Sequence, residues 1–416
     1  VSDYEIFRPR RATRWQRFID SARSITLGPW NPKDPAIARY FGGTPVSSGV
    51  SVNEGTAMTS AAVWQAVTLI SSHVATVPLL LYKRLSNGGK ERYEGHPLYR
   101  LLQIAPNPEM SSFTFRETLQ GHLLLWGNAY AEIERDGSGR PAALWPLLPW
   151  MVTPTRDTPG SPLAYRVTNP SGNDVIIPAV DMLHIRGLGD DTILGHSVIQ
   201  KARESIGLGL ATEKFGATFF GNGASMGGVV SVSGPRPDPK TEKGHRDQLE
   251  ARHQGVERAH RLLVLYNDAK FTQNVIPPED AQFLQTRMFQ VEEIARWFNL
   301  PPHKLKHLER STYSNIEHQG IEYVTDTLLP WFRRWEGELN RKLIAPLEQN
   351  IQFVEFLIEG LLRGDAAGRA AFYKTMREIG AMSANEIRIR ENLNPVEGGD
   401  ALWTQRPAAT NGQENS

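Results

Sequence analysis

Apolar residues recur at helical spacing along two stretches of this chain, with a differently patterned segment between them. From Ser197 the run ARESIGLGLATEKFGATFF reads as a helix to Gly221, opened by Ser197 and Gln200 as a capping-box pair. Small residues return every seventh position on it, at Ala202, Gly209 and Gly216. A glycine inside a helix costs about 1 kcal/mol against alanine, so the stripe predicts a helix packed closely against it. From Asp280 to Phe298 a second helix places Leu284, Met288, Val291, Ala295 and Phe298 on one face, with Arg287, Glu292, Glu293 and Arg296 charged, and stops at Pro301-Pro302. After the loop HKLKHLERSTY, Ser314 and Glu317 cap a long helix toward Arg341, which Pro330 should kink.

Elsewhere the pattern alternates between helix and strand. Residues 28–58 carry Gly, Pro and Ser without a period and read as a linker or draped arm. Order is expected from Thr59, where Val63, Ala66, Val67 and Ile70 form a helical face, followed by the strand PLLLYKR and a turn at NGGK. Ser112 can cap the helix FTFRETLQGHLLLWGN. NAYAEIERD and AALWPLLP alternate around DGSGR as a hairpin, and LAYRVTN and DVIIP do the same around PSGN, which predicts a mixed sheet with helices on it.

The segment Gly228 to Pro278 has its own elements: GVVSV as a strand, a helix capped by Asp238 with Pro239 at its first position and ended by Gly255, then RLLVLY and KFTQNV as strands. It reads as a compact α/β unit. Past Pro346 a strand-like QFVEFLIEG leads to a helix from Asp365 closed by Gly380, and Ser383 with Glu386 caps ANEIRIRENL.

Composition narrows the chemistry. A net charge of +1 argues against tight non-specific DNA binding and leaves room only for local basic patches. The absence of cysteine excludes disulfides, thiol catalysis and cysteine zinc sites. No apolar run is long enough for a membrane span, and the arginine-rich start, Arg8 to Arg23, lacks the apolar core of a signal peptide. No G-x-x-x-x-G-K-[ST] motif offers nucleotide hydrolysis. Gly223 to Gly227 matches G-x-S-x-G, but a helix precedes Ser225 and a strand follows it, the reverse of a nucleophile elbow. A hydrolase using Ser225 with His184 or His245 is therefore the alternative reading. His303 and His307 have a metal-compatible spacing without further ligands, and the doublets Asp190-Asp191, Glu279-Asp280 and Glu292-Glu293 point in different directions, so no metal and no cofactor is expected. Two basic groups remain. One is Lys304, Lys306, His307 and Arg310 against a lone Glu309. The other is Lys240, Lys243, Arg246 and Arg252 among Glu242, Asp247 and Glu250, a mixed-charge face suited to exchangeable partners.

AQFLQTRMFQVEEIARWFNLPPHKL and STYSNIEHQGIEYVTDTLLPWFRRWEGELNRKL resemble the tailed-phage portal proteins of siphophage type, and so do HPLYRLLQIAPNPEMSSFTFRETLQGHLLLWGNAYAEIERD and NLNPVEGGD. The likeness runs in order from about Thr56 to Asp400. It implies an α+β portal fold: a flexible N-terminal arm (1–58), an α/β wing (59–196), stem helices (197–227 and 279–299) flanking a clip (228–278), a tunnel loop (300–314), a long wing helix (315–345), a helical crown (346–400) and a disordered tail (401–416). It implies a non-enzymatic homo-oligomeric ring, a dodecamer in this family, at one capsid vertex, assembled in the host cytoplasm. Partners implied are the major capsid protein, the terminase large subunit, a head-completion adaptor and double-stranded DNA sliding through, with no membrane. Lys304, Lys306, His307 and Arg310 then face DNA, Lys240, Lys243, Arg246 and Arg252 dock partners, and Ala202, Gly209 and Gly216 pack the ring. Another ring-shaped DNA-handling protein is the third reading.

Overall fold

The computed structural model describes residues 44–86, 88–158, 160–168, 174–221, 228–231, 238–241, 243, 244, 247, 270–273, 280–306, 320–358, 361, 366–391 and 393–402. The chain divides into two compact units: Val1–Glu309 with Thr327–Phe356, and Arg310–Asp326 with Leu357–Ser416.

The first unit opens with a short hairpin, β1 (Thr44–Pro45) and β2 (Ser51–Val52), and a helical turn, α1 (Glu54–Ala57), capped by reciprocal bonds between Asn53 and Thr56. These elements lie within the stretch expected to be a linker. Val46 and Val52 are buried, and that burial is the apolar signal which its Gly and Ser neighbours obscured. Helix α2 (Ala61–Thr76) buries Val63, Ala66, Val67 and Ile70, the face the periodicity predicts. After β3 (Leu79–Arg84), β4 (Lys90–Arg92) and α3 (Pro97–Gln103), helix α4 (Ser112–Trp126) packs along α2. Its cap is Ser111, one residue before the expected Ser112, because the Ser112 hydroxyl is drawn inward to donate to the Leu102 carbonyl. Gly127, at φ +74°, closes it in the left-handed region, where an added Cβ would meet the His196 carbonyl oxygen at 2.1 Å.

Both predicted hairpins form: β5 (Asn128–Arg135) with β6 (Pro141–Leu147), and, after β7 (Val152–Thr155), β8 (Ala164–Val167) with β9 (Val175–Pro178). Strand β10 (Met182–Arg186) completes the first sheet against β5. The expected mixed sheet does not form. The described strands make separate sheets in the orders β10-β5-β6 and β7-β8-β9, every pairing antiparallel, and Tyr130, Leu147, Met151, Tyr165, Ile177 and Met182 form one core cluster with residues of both.

The predicted helix from Ser197 is two pieces, α5 (Val198–Lys201) and α6 (Arg203–Gly221), divided at Ala202. Ser197 accepts from the Gln200 amide as expected and also donates to the Leu125 carbonyl at 2.5 Å, which ties the start of α5 to α4. Strands β11 (Gly228–Ser231) and β12 (Lys270–Gln273) pair at the base of the insert, and helix α7 (Asp280–Trp297) follows. Toward its C-terminus α7 buries Ile294 and Ala295, and Phe298 just beyond it is buried too, whereas Met288, placed on the apolar face by sequence, is exposed.

Helix α8 (Leu329–Leu343) carries Pro330 at its start, preceded by a π-helical turn, Tyr323–Leu328. Proline removes an N–H and crowds the carbonyl four residues back, and a widened turn relieves both, so the expected kink takes the form of a π bulge. Phe332 and Trp335 of α8 are fully buried, and Trp335 donates to Gln120 of α4 at 2.9 Å. The strand expected to open the crown, β13 (Gln352–Phe356), instead pairs with β3 in a sheet ordered β13-β3-β4, within the first unit. Its outer edge is closed by α8: Asn340 accepts from the Val354 amide at 2.7 Å and donates to the Val354 carbonyl at 3.0 Å, and Glu336 accepts from the Phe356 amide at 2.9 Å.

In the second unit, α9 (Ala366–Glu378) is followed by Gly380 at φ +71°, and α10 (Ala384–Arg390) starts with the predicted Ser383–Glu386 capping box. Buried Asn385 bonds to Val396 and Asp400 and folds back the turn that follows.

Candidate functional site

The basic segment after α7 is built on a helix end of defined geometry. The Leu300 amide donates to the Ala295 carbonyl at 2.7 Å and the Asn299 amide to that of Arg296 at 3.1 Å, with Asn299 at φ +52°, which together make a Schellman motif with asparagine at its left-handed position. Pro301 cannot continue the helix, and Pro302–Leu305 forms a single 3-10 turn ending at Lys306, φ +63°. Leu305 is buried and anchors the turn from below. Two distant residues hold it as well: Gln65 of α2 donates to the Lys304 carbonyl at 3.0 Å, and the Thr327 hydroxyl donates to the Asn299 carbonyl. Residues 300–306 are thus a pinned turn where a loop was expected, because buried Leu305 and these bonds fix the backbone.

Its electrostatics follow from that anchoring. Lys304 is half-buried and its ammonium is pushed below the usual lysine range, first by burial and then by Lys306 beside it. His73, in the last turn of α2, is lowered by burial and then by Lys304. Lys306 is exposed. His73 therefore lies close enough to Lys304 for the two charges to oppose each other, a neighbour the sequence does not signal because it lies on another helix. His307 and Arg310 lie outside the described residues.

In the insert, Asp238 accepts from the Lys240 amide at 3.0 Å and the Thr241 amide at 3.1 Å, the cap predicted from sequence, and leaves Lys240 and Lys243 exposed. Arg246 and Arg252 lie outside the described residues, as do the G-x-S-x-G residues 223–227 and His245. Of the small-residue stripe, Ala202 and Gly216 are buried. The neighbour that Gly209 meets belongs to the same chain, since a Cβ there would lie 3.4 Å from Gln290 Oε1 of α7. Gly207, off the stripe, is tighter than Gly209: a Cβ there would come within 2.3 Å of Val46.

His184, the base of the alternative reading, is part of a buried polar chain. Asn128 Oδ1 already accepts from the Gly195 amide at 2.9 Å, so His184 Nε2, at 3.0 Å from that oxygen, must donate. Nδ1 is then an acceptor and takes the Tyr165 hydroxyl proton at 3.1 Å. Burial holds His184 down at about 3 and raises Tyr165 to about 12, so both are neutral and serve to lock three strands. Asp190 and Asp191 diverge: Asp190 pairs with His196 at 2.9 Å, and Asp191 accepts from the Ile193 and Leu194 amides. Among the described residues no three His, Asp or Glu side chains gather as a metal site would require.

Residues 61–392 match the family described as phage portal protein. The chain is 33% identical over 365 residues to the portal protein of Enterobacteria phage HK97, covering 85% of this chain and 84% of that one. It is 34% identical over 385 residues to the probable portal protein of Streptomyces phage phiC31, covering 89% and 82%. Its fold aligns with a chain in the neck of a native gene transfer agent particle computed with C12 symmetry, at TM-score 0.55 and 21% identity, over 88% of this chain and 95% of that one.

Proposed function

The chain belongs to the phage portal protein family, and from that premise we propose that twelve copies close into a ring whose channel carries double-stranded DNA during packaging and ejection. The function is that of a portal, at the vertex of the virion capsid where head meets tail. The observation that carries this reading is the family match across 61–392, which takes in both helices, the insert between them and the turn that follows. The C12 symmetry of the structurally similar neck supports the number of copies.

A closed ring is a heterologous assembly, so each copy must offer two different faces. In this reading the pinned turn at 301–306 faces the channel, and Lys304 and Lys306 meet phosphates through contacts that are sequence-independent and screened by salt. In the same reading the insert at 228–278 receives the packaging motor and later the adaptor, through Lys240, Lys243, Arg246 and Arg252. The portal role is structural, and no catalytic step is assigned. Assembly takes place in the host cytoplasm.

Native mass spectrometry and class averages of the purified protein test the ring: closed rings with a central channel are expected, and a monomer at every salt concentration would remove the reading. Charge reversal at Arg246 and Arg252 should weaken terminase binding with rings intact, and unchanged binding would move the docking surface elsewhere.

A further inference from the structure

The break between α5 and α6 is spanned by a segment far from it in sequence. Ala202 is buried and stands at φ −87° and ψ 6°, away from α-helical values, so the chain turns there within one residue. Residues 44–57 touch both sides of that turn. On the α5 side, buried Glu54 of α1 accepts from the Gln200 side chain. On the α6 side, the Ser47 amide donates to Glu204 at 3.1 Å, and Val46 and Val52 are seated over the bare backbone of Gly207, which leaves no room for a Cβ. The segment is itself one piece. Asn53 and Thr56 cap α1 reciprocally, and the Thr56 hydroxyl donates to the Ser51 carbonyl at 3.1 Å, which joins α1 to the hairpin.

Nothing in the sequence around the turn calls for it. Val198 to Ile206 holds neither glycine nor proline, the usual local causes of a kink, and its Gln, Lys, Ala, Arg and Glu are good helix formers. A continuous helix is therefore the cheaper local conformation, and the turn has to be held from outside. Ser197 ties α5 to α4, and Gly209 sets α6 against Gln290 of α7, but each of these contacts reaches one side of Ala202. Residues 44–57 reach both.

We propose that residues 44–57 are a strap that holds α5 and α6 at an angle across Ala202 and so fixes the direction in which α6 leads toward β11 at the base of the insert. With the strap lifted, α5 and α6 merge into one straight helix and the insert is presented in a second direction. The core cluster of the two sheets contains none of the strap residues, so the strap can lift while that core stays packed. It belongs to a single chain and acts whether or not a ring closes.

The chain has no cysteine, so spin labels at Thr68→Cys on α2 and Lys214→Cys on α6, both exposed positions, report the angle by double electron–electron resonance. Labelled chain is diluted into unlabelled chain, which leaves only distances within one copy. Lys214 lies about 18 Å along the helix from Ala202 at 1.5 Å per residue, so straightening a 20° turn moves its label by roughly 6 Å. Two variants lift the strap by different means. Gly207→Ala drives a methyl group against Val46 while improving the helix propensity of α6, and Val46→Ala with Val52→Ala removes the apolar seat. The parent should give one distance, and either variant a second one several ångströms away, with amide exchange along α4 unchanged. One unchanged distance in both variants would overturn the proposal. So would a second distance that comes only with faster exchange along α4, since the whole unit would then have loosened.

Discussion

At the scale of single residues, the chain of Tyr165, His184 and Asn128 ties stability to pH. The His184 imidazole is held at about 3 by burial against an ordinary value of 6.5, so the unfolded chain binds a proton that the folded one refuses. Its contribution is complete above pH 6.5 and is lost as pH falls from 6.5 toward 3, at a rate of at most roughly 1.4 kcal/mol per pH unit. His184→Gln should cost about 1–2 kcal/mol at pH 7.5 through the lost Tyr165 bond, yet the gap from wild type should narrow between pH 6.5 and 5. Calorimetric melts across that range would show it, and parallel curves would mean that the fold does not hold the His184 proton off. Gly127→Ala is a sharper case, because its φ of +74° and the His196 carbonyl both oppose a side chain. We expect a loss above about 2 kcal/mol, read from urea denaturation.

At the scale of elements, the outer edge of β13 is closed by side chains of α8 where another strand would otherwise pair. Asn340→Ala removes a donor and an acceptor at once and should cost about 2 kcal/mol, with hydrogen exchange accelerated most at the Val354 amide. Uniform exchange along β13 would deny the clamp its role. What was legible in advance was local: the face of α2, the β5–β6 and β8–β9 hairpins, the Asp238 and Ser383 caps and the end of α7 each declare themselves within a few residues. What was missed is long-range. Strand β13 reads as apolar alternation and nothing nearby says that its partner is β3, just as nothing near Lys304 names Gln65 or His73. The break at Ala202 has no glycine or proline to announce it, and the structure offers no local cause.

At the scale of the whole molecule, the pinned turn at 301–306 makes the channel proposal testable without disturbing the fold. Leu305, Gln65 and Thr327 hold its backbone through atoms other than the lysine ammonium groups. Lys304→Ala with Lys306→Ala should therefore leave rings forming normally while DNA packaging or retention changes, most clearly at low salt. Packaging and retention equal to wild type at every salt concentration would place the turn away from DNA. The pairing of β3 with β13 also sets a clock on the newborn chain. Leu79 and its partner Phe356 stand 277 positions apart, and at ribosomal speeds of about 5–20 residues per second β3 waits roughly a quarter of a minute to a minute for its partner. During that wait the apolar run LLLY lacks the strand that will cover one of its edges, so slowed elongation before residue 352 should recruit nascent-chain chaperones and lower the yield of assembly-competent protein.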